Sequence, residues 1–220
     1  ISVWTVFFMR QMGKRIGICL LLAAVCWTVG LVRDRAFLNR ELIRLHVVAN
    51  SDSDEDQAVK LRVRDAVLDS IRSDLKMVGD VNQAKAYLRE NLPKIQAAAN
   101  RTLEAAGVDA QAVVTLQKEA FDIRRYDTFS LPAGVYESLR IVIGEGAGKN
   151  WWCVAFPELC LGAAGEDFCQ TAQAAGMSQN LTESLTQEDC SIRFFLLDAL
   201  GQLETKLESY PFFGTNSVVS

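Results

Sequence analysis

The residues able to do chemistry are few and far apart. His46 is the only histidine in 220 residues, set in Arg44-Leu45-His46-Val47-Val48-Ala49-Asn50-Ser51-Asp52. Acid–base work by an imidazole requires a carboxylate or a nucleophile within hydrogen-bond reach. Asp52 and Glu137 are the nearest candidates by type, and spacing does not decide between that role, partner binding and a plain strand histidine. Asp52-x-Asp54-x-Asp56 begins like a calcium loop. Such a loop needs glycine at its sixth position and a bidentate glutamate at its twelfth, and Gln57 and Val63 stand there. The three acids read instead as the first turn of a helix. Gly144-Glu145-Gly146-Ala147-Gly148-Lys149 fails as a phosphate loop: counting back from Gly148-Lys149 puts Ile143 at the first glycine, and Asn150 replaces the hydroxyl. No metal and no cofactor is expected. Trp151-Trp152 is more telling, because neighbours on a strand point to opposite faces. One can fill a core while the other anchors a protein partner, or both can be covered.

These residues have to be held by elements that the pattern predicts. Leu42 to Ala49 alternates as a strand and ends in Asn50-Ser51-Asp52-Ser53, which is turn and cap chemistry. A helix is expected from about Asp54 to Arg72, acids first, where they suit the positive end of its dipole. After Gly79-Asp80 comes a second helix, about Val81 to Ala106, which Pro93 kinks or divides and Gly107 stops. Ala112 to Ile123, Val135 to Ile143 and Trp151 to Phe156 read as strands, the last two as a hairpin around the glycine-rich loop. Leu161 to Asp189 shows little periodicity and is expected to be loop. Ile192, Leu196, Leu200, Leu203 and Leu207 mark the inward stripe of a final helix, stopped by Pro211. The order implies an α+β domain: a largely antiparallel sheet of about four strands with helices packed on one face.

The N-terminus places that domain. Ile16 to Val32 carries no charge and comes after Arg10, Lys14 and Arg15, the pattern of a signal peptide or signal anchor. Membrane contact is assigned to Ile16 to Val32, and export to the chain beyond Val32. Ala24-Val25-Cys26 and Thr28-Val29-Gly30 are weak cleavage sites, and Val25 suits a lipidated Cys26 poorly. Residues 1–8 read as an upstream segment not native to the protein, 9–32 as the signal or anchor, 33–210 as one exported domain opening on a polar linker, Arg33 to Arg40, and 211–220 as a frayed tail. All 27 acidic residues and 20 of the 23 basic ones lie beyond Val32, a net of −7, which argues against nucleic acid as a partner. Four cysteines lie there too: Cys153, Cys160, Cys169 and Cys190. Three pairings are possible. Cys153–Cys160 with Cys169–Cys190 closes the shortest loops and is preferred, against four free thiols.

The words around His46, together with Lys60-Leu61-Arg62-Val63-Arg64-Asp65, Gly134-Val135-Tyr136-Glu137-Ser138-Leu139-Arg140, Asn150-Trp151-Trp152-Cys153 and Phe156-Pro157, resemble the stage II sporulation protein R family over about Leu42 to Leu200. The resemblance implies a non-enzymatic signal exported from the forespore into the space facing the mother cell. Its implied partner is a membrane-embedded aspartic protease of the sporulation pathway, which then processes pro-sigma-E. Polar and aromatic positions within the family-like words give the expected partner surface: His46, Asn50, Asp52, Glu137, Arg140, Trp151 and Trp152. Two other readings compete. An envelope or cell-wall binding module predicts retention on peptidoglycan, and an exported hydrolase using His46 requires a partner group beside it in a cleft.

Overall fold

The computed structural model describes residues 3–126, 128–157, 165–186 and 192–209. A long helix α1 (Val3–Glu41) leads into strand β1 (Ile43–Val48). Helices α2 (Asp54–Lys76) and α3 (Val81–Ala105) come next, then β2 (Ala112–Phe121), the short β3 (Arg124–Arg125) and β4 (Ser130–Leu131), β5 (Gly134–Ile143) and β6 (Asn150–Phe156). Among the described residues three helices follow: α4 (Gly165–Ala174), α5 (Gln179–Thr186) and α6 (Ile192–Ser209).

Local chemistry sets the helix ends. Ser53 caps α2 by accepting from the Asp56 amide at 3.2 Å, with Asp54, Glu55 and Asp56 in the first turn. Asp80 caps α3 through the amides of Asn82 and Gln83. Pro93 sits inside α3 without dividing it. Beyond the end of α3, Gly107 has a positive φ of 71° and the Val108 amide returns to the Leu103 carbonyl, a glycine stop of the expected kind.

The architecture is α+β. Four strands form one sheet in the order β2-β5-β1-β6, and β3 and β4 form a separate two-stranded ribbon. Two of the three pairings in the sheet are antiparallel, β2 with β5 and β1 with β6, while β1 runs parallel to β5. The expected β5–β6 hairpin is therefore corrected: β1 lies between those strands. The glycine-rich loop between them crosses the end of β1 and is tied to it, as the Ala147 and Gly148 amides donate to the Asn50 and Ala49 carbonyls.

One face of the sheet carries the expected helical layer. Ile43, Leu45, Val47, Leu139, Ile141, Ile143 and Cys153 pack there against Val63, Val67, Ile71, Leu88, Ile95 and Leu103 of α2 and α3. The opposite face, for which no cover was expected, holds a second core of Phe121, Tyr136, Val154, Phe129, Phe168, Leu181 and Leu185 with Leu31, Leu38 and Leu42. Three expectations change with it. The stretch from Leu161 onward is not all loop, since α4 and α5 bury Phe168, Ala172, Leu181 and Leu185. The polar linker Arg33 to Arg40 is helical, the last turns of α1, and buries Asp34, Arg35 and Leu38 in the domain. Finally, α6 is turned over. Of the expected inward stripe, Leu196 packs partly buried against the second core, but Ile192, Leu200, Leu203 and Leu207 are exposed, and Arg193, Leu197, Gly201 and Glu204 face or touch the domain. The turned face results from ion pairs: Arg193 meets Asp34, and Arg35 meets Glu204 at 2.6 Å.

From Gln11 to Glu41, α1 is long and apolar enough to cross a membrane, and nearly all of that stretch lies outside the core until Leu31.

Candidate functional site: a histidine–tryptophan cluster on the second sheet face

Alternation along the strands decides which candidates meet. On β1, Arg44 and His46 point away from α2 and α3. The register places Arg140 of β5 beside His46 on one side and Trp152 of β6 on the other. His46 is only 3% exposed. Its Nδ1 lies 2.9 Å from Glu119 Oε1, reaching over β5 from the edge strand β2, and its Nε2 lies 2.9 Å from Asn150 Oδ1. Trp152 stacks on the imidazole with centroids 3.7 Å apart and planes 17° from parallel. Arg124 covers the indole from 4.7 Å. Phe121 meets Trp152 edge-on at 5.1 Å.

Charge in this layer is balanced locally. Burial alone would raise the Glu119 carboxyl, but the hydrogen bond and charge of His46, with Arg140 3.8 Å away, hold it below the ordinary glutamate value. Arg44 is fully buried. Its Nε donates to the Cys153 carbonyl and its Nη2 to the Tyr126 hydroxyl, while its guanidinium lies 4.3 Å from the Phe121 centroid. A buried cation held by two hydrogen bonds and aromatic faces is tolerated where a bare one is not.

The carboxylate beside His46 is therefore Glu119, not Asp52 or Glu137. Glu137 points to the other face, where Arg89 approaches at 3.3 Å and Lys85 at 3.9 Å. Trp151 is also on that face, 37% exposed, under the Arg64 guanidinium at 4.4 Å. Asn50 and Asp52 serve the glycine loop. Asn50 Oδ1 accepts from the Glu145 amide at 3.0 Å, and Asp52 Oδ1 from the Lys149 amide at 2.7 Å. Asp56 accepts from Ser51 and Asn50, which lowers its carboxyl against a small opposing effect of burial. Lys60 crosses to the Lys149 carbonyl at 3.0 Å. Three glycines make this possible: Gly144 and Gly146 have φ of 55° and 62°, and a Cβ on Gly148 would overlap the Ser51 carbonyl.

The seven expected contact residues thus form no single patch. His46, Arg140 and Trp152 share the second face, beside Asn150. Glu137 and Trp151 share the helical face, and Asn50 and Asp52 clamp a loop. Asn150, although inside a family-like word, was missed, as were Glu119, Arg124 and Tyr126. Of the last three only Glu119 gave a signal, by its parity with Thr115 and Gln117 on the polar side of β2. Cys153 is disulfide-bonded. Cys169 has a free thiol, so the preferred Cys169–Cys190 bridge is not formed. Cys160 and Cys190 lie outside the described residues. Among the described residues no group of three His, Cys, Asp or Glu side chains is arranged to hold a metal.

The two words that carry the family likeness, around His46 and around Trp152, are thus adjacent strands with facing side chains. Residues 39–165, more than half of the chain, match the family model of stage II sporulation protein R. The chain belongs to the stage II sporulation protein R family. Stage II sporulation protein R of Bacillus subtilis (strain 168) is 42% identical over 120 residues, 54% of this chain and 54% of that protein, so the match spans about half the relative's length. No solved structure matches the chain. The family match takes in β1 through β6, and so every residue of the cluster, while α5 and α6 lie beyond it.

Proposed function

We propose that this chain is an exported sporulation signal that activates a membrane-embedded aspartic protease by binding it, so that the protease processes pro-sigma-E. The family match over residues 39–165 carries this reading. The N-terminal helix supports it, since a basic flank before an apolar span directs the domain beyond it across a membrane. The cluster supports binding over turnover. His46 is engaged on both nitrogens and stacked under Trp152, which leaves no open nitrogen for a substrate.

The contact surface in this reading is the rim of the second face: Arg140, Asn150 and Trp152, held from below by His46 and Glu119. Activation then requires only that the surface bind the active state of the protease more tightly than the inactive one. The test is reconstitution in a non-sporulating bacterium. The chain, a candidate membrane protease and its sigma-factor precursor are co-expressed, and the shortened sigma factor is detected by blotting. Cleavage that needs this chain and its apolar segment is the expected result. Absence of cleavage with the chain exported and folded overturns it, and retention on purified peptidoglycan would then favour the envelope-binding reading.

A further inference from the structure

The inverted amphipathicity of α6 has a physical consequence. Three of its polar residues face the domain: Arg193 pairs with Asp34, Asp198 Oδ1 accepts the Ala133 amide at 2.8 Å, and Glu204 holds Arg35 and Asn39. Gly201 sits so close to the Ala133 carbonyl that a Cβ would overlap it. Over its first turns the outward side is left apolar, with Ile192 71% and Phe195 69% exposed, and polar side chains, Gln202 and Lys206, join the exposed side only further along. An outward apolar face is costly in water, at about 25 cal/mol for each Å², and it needs a cover.

The contacts with α1 say which cover. Arg193 lies against Gly30 and Asp34, so the first turn of α6 is level with the point where the apolar run of α1 ends. At that level α1 itself exposes Trp27, Val29, Val32 and Arg33. An aromatic and a cation at the end of an apolar span mark the membrane–water interface. Further along α6, Glu204 pairs with Arg35 and Asn39, deeper in the domain and farther from that level.

We propose that the start of α6, through Ile192 and Phe195, rests in the interface of the same lipid bilayer that α1 enters. The domain is then fixed against the membrane surface by two elements, α1 and the first turns of α6, and α6 tilts away from the lipid towards Leu207. An interfacial helix of this kind buries its apolar side about 5–10 Å into the headgroup boundary. The proposal rests on α1 lying in the bilayer.

The test uses the full chain in phosphatidylcholine vesicles, with and without bromine on the upper acyl chain, and reads tryptophan emission. Trp4 also lies in α1 and is replaced by Phe throughout; Trp27 then reports α1, and quenching that disappears in Trp27→Phe places α1 in lipid. Phe195→Trp and Ile192→Trp, both at exposed positions, report the start of α6, and Leu207→Trp reports its end. The added emission at 192 and 195 should be blue-shifted and quenched by brominated lipid, and that at 207 less so. If Trp27 is quenched while the added tryptophans are not, the proposal fails. Red emission would then mean the stripe faces water, and blue unquenched emission would mean protein covers it. Equal quenching at 195 and 207 would overturn the tilt. No quenching of Trp27 would remove the membrane reading of α1 itself.

Discussion

Trp152 and His46 face each other across the β1–β6 ladder, their ring planes 17° from parallel. The indole is held between the imidazole and the Arg124 guanidinium, while its neighbour Trp151 lies on the opposite face under the Arg64 guanidinium. Two adjacent tryptophans therefore have unequal structural weight. Trp152→Ala should destabilise the domain by about 2–3 kcal/mol, since it removes a stacked, half-buried ring from the second core. Trp151→Ala should cost under about 1 kcal/mol, the value of an exposed cation–π contact. Urea unfolding of both variants measures the difference, and equal midpoints would contradict the assigned faces.

Glu119 gives the cluster a pH dependence of known sign. Its carboxyl is held below the ordinary value in the folded chain. The charged form is thus favoured by folding, and that stability is present above the unfolded glutamate value of about 4.3 and lost as pH falls through the folded one. Glu119→Gln should be less stable than the parent at pH about 6, and the gap should shrink by pH about 3. Asp56 is lowered too, so the variant keeps part of the acid sensitivity. Parallel stability curves for parent and variant between those pH values would show that the His46–Glu119 bond contributes nothing.

The loop clamp makes a backbone prediction. Gly148→Ala places a methyl on the Ser51 carbonyl, and backbone cannot swing aside as a side chain can. It should cost about 1–3 kcal/mol and loosen the loop, seen as faster amide exchange at Glu145 and Lys149, whose amides Asn50 and Asp52 hold. Gly107→Ala has open space around the new methyl and suffers only the positive φ, about 1–2 kcal/mol. Loss at Gly107 with no loss at Gly148 would mean the clamp is slack.

How much of this was legible in the sequence depends on how far apart the interacting residues are. The cap at Ser53, the stop at Gly107, the alternation of β1 and the opposed tryptophans are local, and each is dictated by residue type and spacing. The insertion of β1 between β5 and β6 is not local. Two strands joined by one loop look like a hairpin until a strand a hundred residues earlier takes the place between them. The Glu119–His46 bond was hidden for the same reason, because a sheet register cannot be read from its separate strands. The direction of α6 was misjudged because an apolar stripe signals burial only when the other side is free to face water. Here Arg193, Asp198 and Glu204 bind the domain. The disguise of Arg33 to Arg40 as a linker has a similar origin, since its charged residues Asp34 and Arg35 are buried in pairs.

Burial of these turns bears on processing. Leu38 is fully buried and Leu31 nearly so, so the domain includes the end of α1. Both weak cleavage sites, ending at Cys26 and Gly30, lie before Leu31, and cutting at either leaves the packed turns in place. A chain beginning at residue 31 should fold with close to full domain stability, while one beginning at residue 42 should lose several kcal/mol or fail to fold. Leu38→Ala alone should cost about 2–4 kcal/mol. Equal unfolding midpoints for the two truncations would refute the placement of Leu38 and Arg35 in the core.

The split of the candidate contact residues between two faces yields the sharpest functional prediction. Arg140 is half-exposed on the second face, and its one ion pair among the described residues, to Glu119 at 3.8 Å, is long. An exposed pair of that kind contributes at most about 1 kcal/mol to stability. As part of a protein contact, an arginine can contribute about 2 kcal/mol or more. Arg140→Ala should therefore leave the unfolding midpoint nearly unchanged while lowering sigma-factor processing in the reconstituted system about tenfold or more. Trp151→Ala and Arg64→Ala, on the helical face, should process the precursor at close to the parent rate. The reverse pattern, with Arg140→Ala fully active and the Trp151 variants silent though folded, would move the contact surface to the α2 side of the sheet. It would leave the histidine–tryptophan cluster as scaffold for that side.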